Sequence, residues 1–169
     1  SQGLSVSYFG AFFAPPGVEL RAEAMRRILV VEDSSSTRAF IRAILEDPAF
    51  SAAYGGTEVV EASGGFDAMR LLPRSRRDLI LTDINMPDVN GLQLIQFIRK
   101  SEHYKATPLI IVSTQSAERD VERGLSLGAN AYVAKPFTAE QLREACAKLL
   151  DAKVGCAWRN LAAAEGTTQ

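Results

Sequence analysis

Acidic residues stand at the ends of two apolar runs in this 169-residue chain. Ile28-Leu29-Val30-Val31 leads into Glu32-Asp33, and Leu79-Ile80-Leu81-Thr82 leads into Asp83. A third run, Leu109-Ile110-Ile111-Val112, ends at Ser113, and a fourth, Ala131-Tyr132-Val133-Ala134, ends at Lys135-Pro136. If these runs are parallel strands, their carboxyl ends share one edge, which is where open α/β sheets bind ligands. Carboxylates gathered there repel one another unless a cation neutralises them. Oxygen donors favour a hard ion that keeps some of its waters, Mg²⁺ rather than Zn²⁺. The backbone carbonyl of Asn85 is placed to join Glu32, Asp33 and Asp83 around it. Lys135 brings a compact positive charge suited to a phosphoryl oxygen, and Ser113 brings a hydroxyl donor. Together these groups make a site for transfer of a phosphoryl group to an aspartate, a reaction in which positioning and electrostatics do most of the catalysis.

The elements that must position these residues follow from the pattern of the chain. Strands are expected near 27–32, 57–61, 78–83, 108–113 and 130–134, and helices near 35–46, 64–72, 91–101, 116–127 and 138–150. Alternation of this kind argues for βα units and a parallel sheet. Ile28–Val31 and Leu109–Val112 are apolar at every position, as strands covered on both faces are. Thr57-Glu58-Val59-Val60-Glu61 is mixed and reads as an edge strand. The first helix should bury Phe40, Ile41, Ile44 and Leu45 on one face. The fifth carries Leu142, Ala145, Cys146, Leu149 and Leu150 on a stripe and opens with a capping box, Thr138 to Gln141. The fourth is polar apart from Ala117, Val121, Leu125 and Leu127, and Gly128 supplies its left-handed stop. The connection from Asp47 to Gly56 is long for its kind, and mobility is expected there. Right-handed crossovers leave few topologies. The expected fold is α/β and flavodoxin-like, a (βα)5 three-layer sandwich with a parallel five-stranded sheet in the order 2-1-3-4-5.

Composition narrows the function. Net charge is −1 and the pI about 5.9, so no global basic field draws the chain to nucleic acid or an anionic membrane. The densest basic cluster, Arg74, Arg76 and Arg77, is expected in a solvated loop. Two cysteines, Cys146 and Cys156, and one histidine, His103, supply neither a disulfide framework nor a thiolate metal site. A reduced, cytoplasmic setting fits that usage. No apolar stretch reaches membrane-spanning length. Residues 1–24 lack a basic leader region, and Pro15-Pro16 interrupts their apolar stretch, so they do not fit a secretory signal. Met25 is a candidate start, which leaves 1–24 as sequence ahead of the start or as a native arm. The domain is expected over 25–151. Residues 152–169 form a tail in which Trp158 and Leu161 could dock a short amphipathic helix.

In order and spacing, Glu32-Asp33, Asp83 with Ile84-Asn85-Met86-Pro87, Ser113, Tyr132 and Lys135-Pro136-Phe137 resemble the response-regulator receiver domain of the CheY-like kind. The resemblance runs from about Arg26 to Leu150. It implies a phosphoacceptor switch in which Asp83 takes a phosphoryl group from a phosphohistidine on a sensor histidine kinase or phosphotransfer protein. Asp33, Asp83 and the Asn85 carbonyl would bind Mg²⁺, with Glu32 acting through water. Glu32 departs from the commoner aspartate, and its extra methylene still permits that role. The resemblance also implies a cis peptide at Lys135-Pro136 and a switch pair, Ser113 and Tyr132. That pair would remodel the face made by the fourth helix, fifth strand and fifth helix for a downstream protein. Thr114 stands where family members usually have a small residue, which would crowd the path of Tyr132. Asn85 and Gln115 would flank the water that ends the phosphorylated state. Homodimerisation stays open, and a receiver fragment of a larger regulator remains the alternative.

Two other chemistries fit less well. An aspartyl-phosphate phosphatase of the haloacid-dehalogenase type needs a second aspartate where this chain has Asn85. A flavodoxin-type electron carrier would put a flavin phosphate near Ser34-Ser35-Ser36-Thr37, but Glu32-Asp33 would repel it, and such a loop favours glycine.

Overall fold

The computed structural model describes residues 25–114 and 118–164, with side chains up to Asp151. The expected N-terminal arm, Gln115, Ala117 and the side chains of Cys156, Trp158 and Leu161 lie outside the described residues. Five strands, β1 (Arg26–Val31), β2 (Thr57–Ala62), β3 (Leu79–Thr82), β4 (Leu109–Thr114) and β5 (Ala131–Lys135), pair in parallel in the order β2-β1-β3-β4-β5. This is the flavodoxin-like order read from the sequence. The helices are α1 (Ser35–Glu46), α2 (Pro48–Ser51), α3 (Gly65–Leu71), α4 (Gly91–Lys100), α5 (Glu118–Leu127) and α6 (Ala139–Ala164).

Strand side chains alternate between faces, and the two faces build separate cores. Ile28, Val30, Leu79, Leu81, Ile110 and Val112 meet α1 and α6. Leu29, Val31, Ile80, Leu109 and Ile111 meet α3, α4 and α5. The middle strands therefore read as unbroken apolar runs, and β2 takes the sheet edge. Helix starts follow from short polar caps. The Ser34 hydroxyl accepts the Thr37 N–H at the head of α1. Asn90 and Gln93 form a reciprocal capping box on α4, and Thr138 with Gln141 does the same for α6. Gly128 closes α5 at φ 118°, a left-handed conformation that other residues rarely adopt.

Several expectations need correction. Phe40 is not buried with Ile41, Ile44 and Leu45. It is half exposed and stacks on Phe137, with ring centroids 5.6 Å apart, because its position lies at the border of the α1 apolar stripe. On α5, Val121 and Gly124 make the buried contact and Leu125 is exposed. The connection after α1 is structured: Asp47 caps α2, Ala52–Tyr54 form a 3₁₀ turn, and the rings of Phe50 and Tyr54 enter the core. Arg77 is not solvated but buried, while Arg74 and Arg76 remain exposed. In addition, the backbone of α6 continues to Ala164, well past the expected end at 150. Among the described residues no helix is long and apolar enough to cross a membrane.

Candidate functional site

Parallel register carries Glu32 and Asp83 to the same edge, because Val31 pairs with Thr82 at the last rung of β1 and β3. Lys135 is the final residue of β5 and reaches past the end of β4 to both acids. Its Nζ donates to Glu32 Oε2 at 2.5 Å and to Asp83 Oδ2 at 3.0 Å. Glu32 and Asp83 are buried and Asp33 is exposed, yet one carboxylate oxygen of each lies within 4.8 Å of the others. The second oxygens are also held. Ser34 N–H donates to Glu32 Oε1, and the N–H groups of Ile84 and Asn85 donate to Asp83 Oδ1 at 2.6 and 3.3 Å.

Burial pushes the Glu32 carboxyl above its usual range, and the Lys135 hydrogen bond only partly reverses this. For Lys135, burial pulls downward, but hydrogen bonds and charge from Glu32 and Asp83 outweigh it, so the ammonium is held charged. One lysine thus faces three acids. An excess of negative charge among oxygen donors, with no thiolate or imidazole in the cluster, suits a hard divalent cation.

The other expected residues fall in several places. Ser113 is fully buried at the end of β4, and its hydroxyl has no hydrogen-bond partner. The Tyr132 ring packs against the α4/α5 core, and its hydroxyl donates to the Ser113 carbonyl at 3.4 Å. Thr114 lines a groove of about 390 Å³ with Thr37, Phe40, Lys135, Pro136 and Phe137. The Lys135–Pro136 peptide is cis. The Asn85 side chain is exposed beside the cluster, and Gln115 lies outside the described residues.

Sequence reasoning missed several supports. The Arg38 guanidinium donates to the carbonyls of Glu32 and Asp33 at 2.7 and 3.1 Å, fixing the backbone that presents them. Asp88 accepts the N–H groups of Gly65 and Phe66 at the start of α3. Gly91 allows α4 to start against Asp83, since a Cβ there would sit 2.2 Å from the Asp83 carbonyl oxygen. Only the Gly64-Gly65 pair and Gly91 were visible signals of such close approach.

The response regulator receiver domain profile matches residues 28–147. The chain belongs to that family. A chemotaxis protein CheY homolog from Campylobacter jejuni is 36% identical over 119 residues, covering 70% of this chain and 87% of the relative. CheY of Pseudomonas aeruginosa is 33% identical over 125 residues, covering 74% and 96%. Among solved structures, Vibrio cholerae CheY4 aligns with TM-score 0.67 at 31% identity, over 75% of this chain and all of that one. The receiver domain of a sensor histidine kinase from Pseudomonas aeruginosa, solved with a magnesium ion in its active site cleft, aligns with TM-score 0.66 at 29% identity, covering 76% and 99%. As a CheY-like receiver, the chain acts as a phosphoacceptor in two-component signalling, a switch rather than a turnover enzyme. Receivers of this family work with histidine kinases or phosphotransfer proteins.

Proposed function

We propose that Asp83 is the phosphoacceptor and that it is charged, with Mg²⁺ bound, by a phosphohistidine on a sensor histidine kinase or phosphotransfer protein. The observation that carries this reading is Lys135 bonded to both Glu32 and Asp83 inside a three-carboxylate cluster. An Asp83 carboxylate oxygen attacks phosphorus and forms the new P–O bond as the P–N bond to histidine breaks. The electron pair leaves with the imidazole, which takes up a proton. Lys135 pairs with one phosphoryl oxygen, and the unpartnered Ser113 hydroxyl donates to another. Asp33, Asp83 and the Asn85 carbonyl would hold the metal, with Glu32 acting through water, and the metal offsets charge on acceptor and phosphoryl group. The magnesium in the similar Pseudomonas aeruginosa receiver supports this assignment.

The phosphoryl group adds roughly 1.5 to 2 negative charges and strong acceptors. Ser113 moves toward it, the hydrogen bond from Tyr132 to the Ser113 carbonyl is disturbed, and the face made by α5, β5 and α6 is remodelled for a downstream protein. Asn85 flanks the water that later hydrolyses the acyl phosphate, a role the sequence reading also assigns to Gln115, which lies outside the described residues. The test is intact-mass measurement after incubation with acetyl phosphate and Mg²⁺, with the modified residue mapped. One phosphoryl group on Asp83, lost in Asp83→Asn, is expected. Equal labelling of that variant places the acceptor elsewhere.

A further inference from the structure

At the opposite end of the sheet, the segment after α3 and the segment between α4 and β4 enclose a cavity of about 660 Å³. Its floor is Arg77, buried at 7% exposure with its Nε unpartnered. Among the described residues its one hydrogen bond runs from Nη2 to the Leu71 carbonyl at 3.3 Å. A guanidinium has five donors and keeps its charge in proteins, and burying it with no carboxylate hydrogen-bonded to it is costly; Glu58 acts on Arg77 by charge alone, and burial outweighs it. Arg99, which braces the segment 105–107 beside the cavity, shows the ordinary solution. Also desolvated, it donates to the carbonyls of Lys105, Thr107 and Gly128 and to Asn130 Oδ1. Those bonds fix one wall of the cavity, so the opening is built into the fold. Arg77 has no such set of acceptors.

The lining reinforces the contrast. Arg76 and His103 stand at the rim, Thr107 offers a hydroxyl, and Leu72 and Tyr104 give apolar walls, while among the described residues no carboxylate lines the cavity. Its volume falls within the roughly 300–1,000 Å³ of small-molecule sites. We propose that this cavity binds a small organic anion, with a phosphate or carboxylate head on Arg77 and Arg76 and a flat apolar body against Tyr104 and Leu72. Arg77 lies six residues before Asp83 along β3, roughly 20 Å at strand rise. Binding here is therefore separate from the phosphorylation chemistry.

The test is an amide-resolved NMR titration of the full chain at fixed ionic strength with adenosine monophosphate, benzoate, adenosine and inorganic phosphate. Adenosine monophosphate or benzoate should shift the amides of residues 72–77 and 101–107 saturably, and whichever binds tighter identifies the head group. Adenosine and inorganic phosphate should each bind at least tenfold more weakly than the better of the two. Arg77→Gln and the exposed Arg76→Glu should each raise its Kd at least tenfold. If Arg77→Gln does not fold, Arg76→Glu decides. No saturable shift, equal response to adenosine, or only a weak response to inorganic phosphate overturns the proposal, as does binding that survives the variants. Acetyl phosphate labelling of Asp83 in the same samples keeps the two readings apart, since either can fail alone.

Discussion

Replacing Lys135 with methionine is the sharpest perturbation of the charged cluster. The ammonium is bonded to Glu32 and Asp83, whose side chains are 3% and 10% exposed, while the lysine side chain is itself 19% exposed. Removing one partner of a buried ion pair costs about 3–5 kcal/mol, because the other charge is left uncompensated. Water reaching the lysine end lowers that to about 2–4 kcal/mol, while methionine retains most of the apolar stem. For a domain of this size the melting temperature should fall by about 10 °C. Urea unfolding at pH 7 with a chelator present measures the loss directly, and an unchanged slope would show that the unfolded state is not the cause. Millimolar Mg²⁺ should recover part of the loss, because a divalent cation supplies the missing positive charge and binds only the folded site. A shift below about 0.5 kcal/mol without metal, smaller than the median cost of a core mutation, would refute the view that this lysine offsets the buried acids.

Asp33→Ala removes an exposed carboxylate of the acidic cluster without disturbing the core. Mg²⁺ is expected to raise the melting temperature of the parent protein and not of the variant, and an equal rise in both would take Asp33 out of the proposed metal site. Gly91→Ala places a Cβ 2.2 Å from the Asp83 carbonyl oxygen, so a loss of about 2 kcal/mol or more is expected by urea unfolding; a neutral substitution would contradict the close packing of α4 on Asp83. Burial first, then the hydrogen bond to Asp151, pushes the Tyr54 hydroxyl up to about 12 from 10.0. A raised folded value means its contribution, about 2–3 kcal/mol at most, is fully present below pH 10 and disappears as pH climbs through 12. Tyr54→Phe should flatten that alkaline decline, and parallel stability curves from pH 9 to 11.5 would rule the linkage out.

The sheet was legible because its strands are either wholly apolar or visibly mixed, and burial on two faces leaves few other arrangements. The acids and lysine were legible because each terminates such a strand, so topology alone brought them together. Phe40 was misplaced because periodicity marks a stripe on a helix but not where its border falls. Arg77 was misread for a related reason: composition sees three arginines in four positions and cannot tell which one folds under the loop. Arg38 left no signal, since a guanidinium that serves backbone carbonyls has no partner residue type to recognise. Asp47–Gly56 looked unstructured because two short turns carry no period, although Phe50 and Tyr54 were aromatic anchors in plain view.

Lys135 and Glu32 are separated by 103 positions along the chain yet share a hydrogen bond. This contact requires the fifth strand to be seated against the rest of the sheet, and non-local pairings of this kind slow folding. A nascent or partly unfolded polypeptide can therefore display every acid and still lack the ammonium that completes the pocket. Completion of the charged cluster is in this way tied to the seating of the fifth strand.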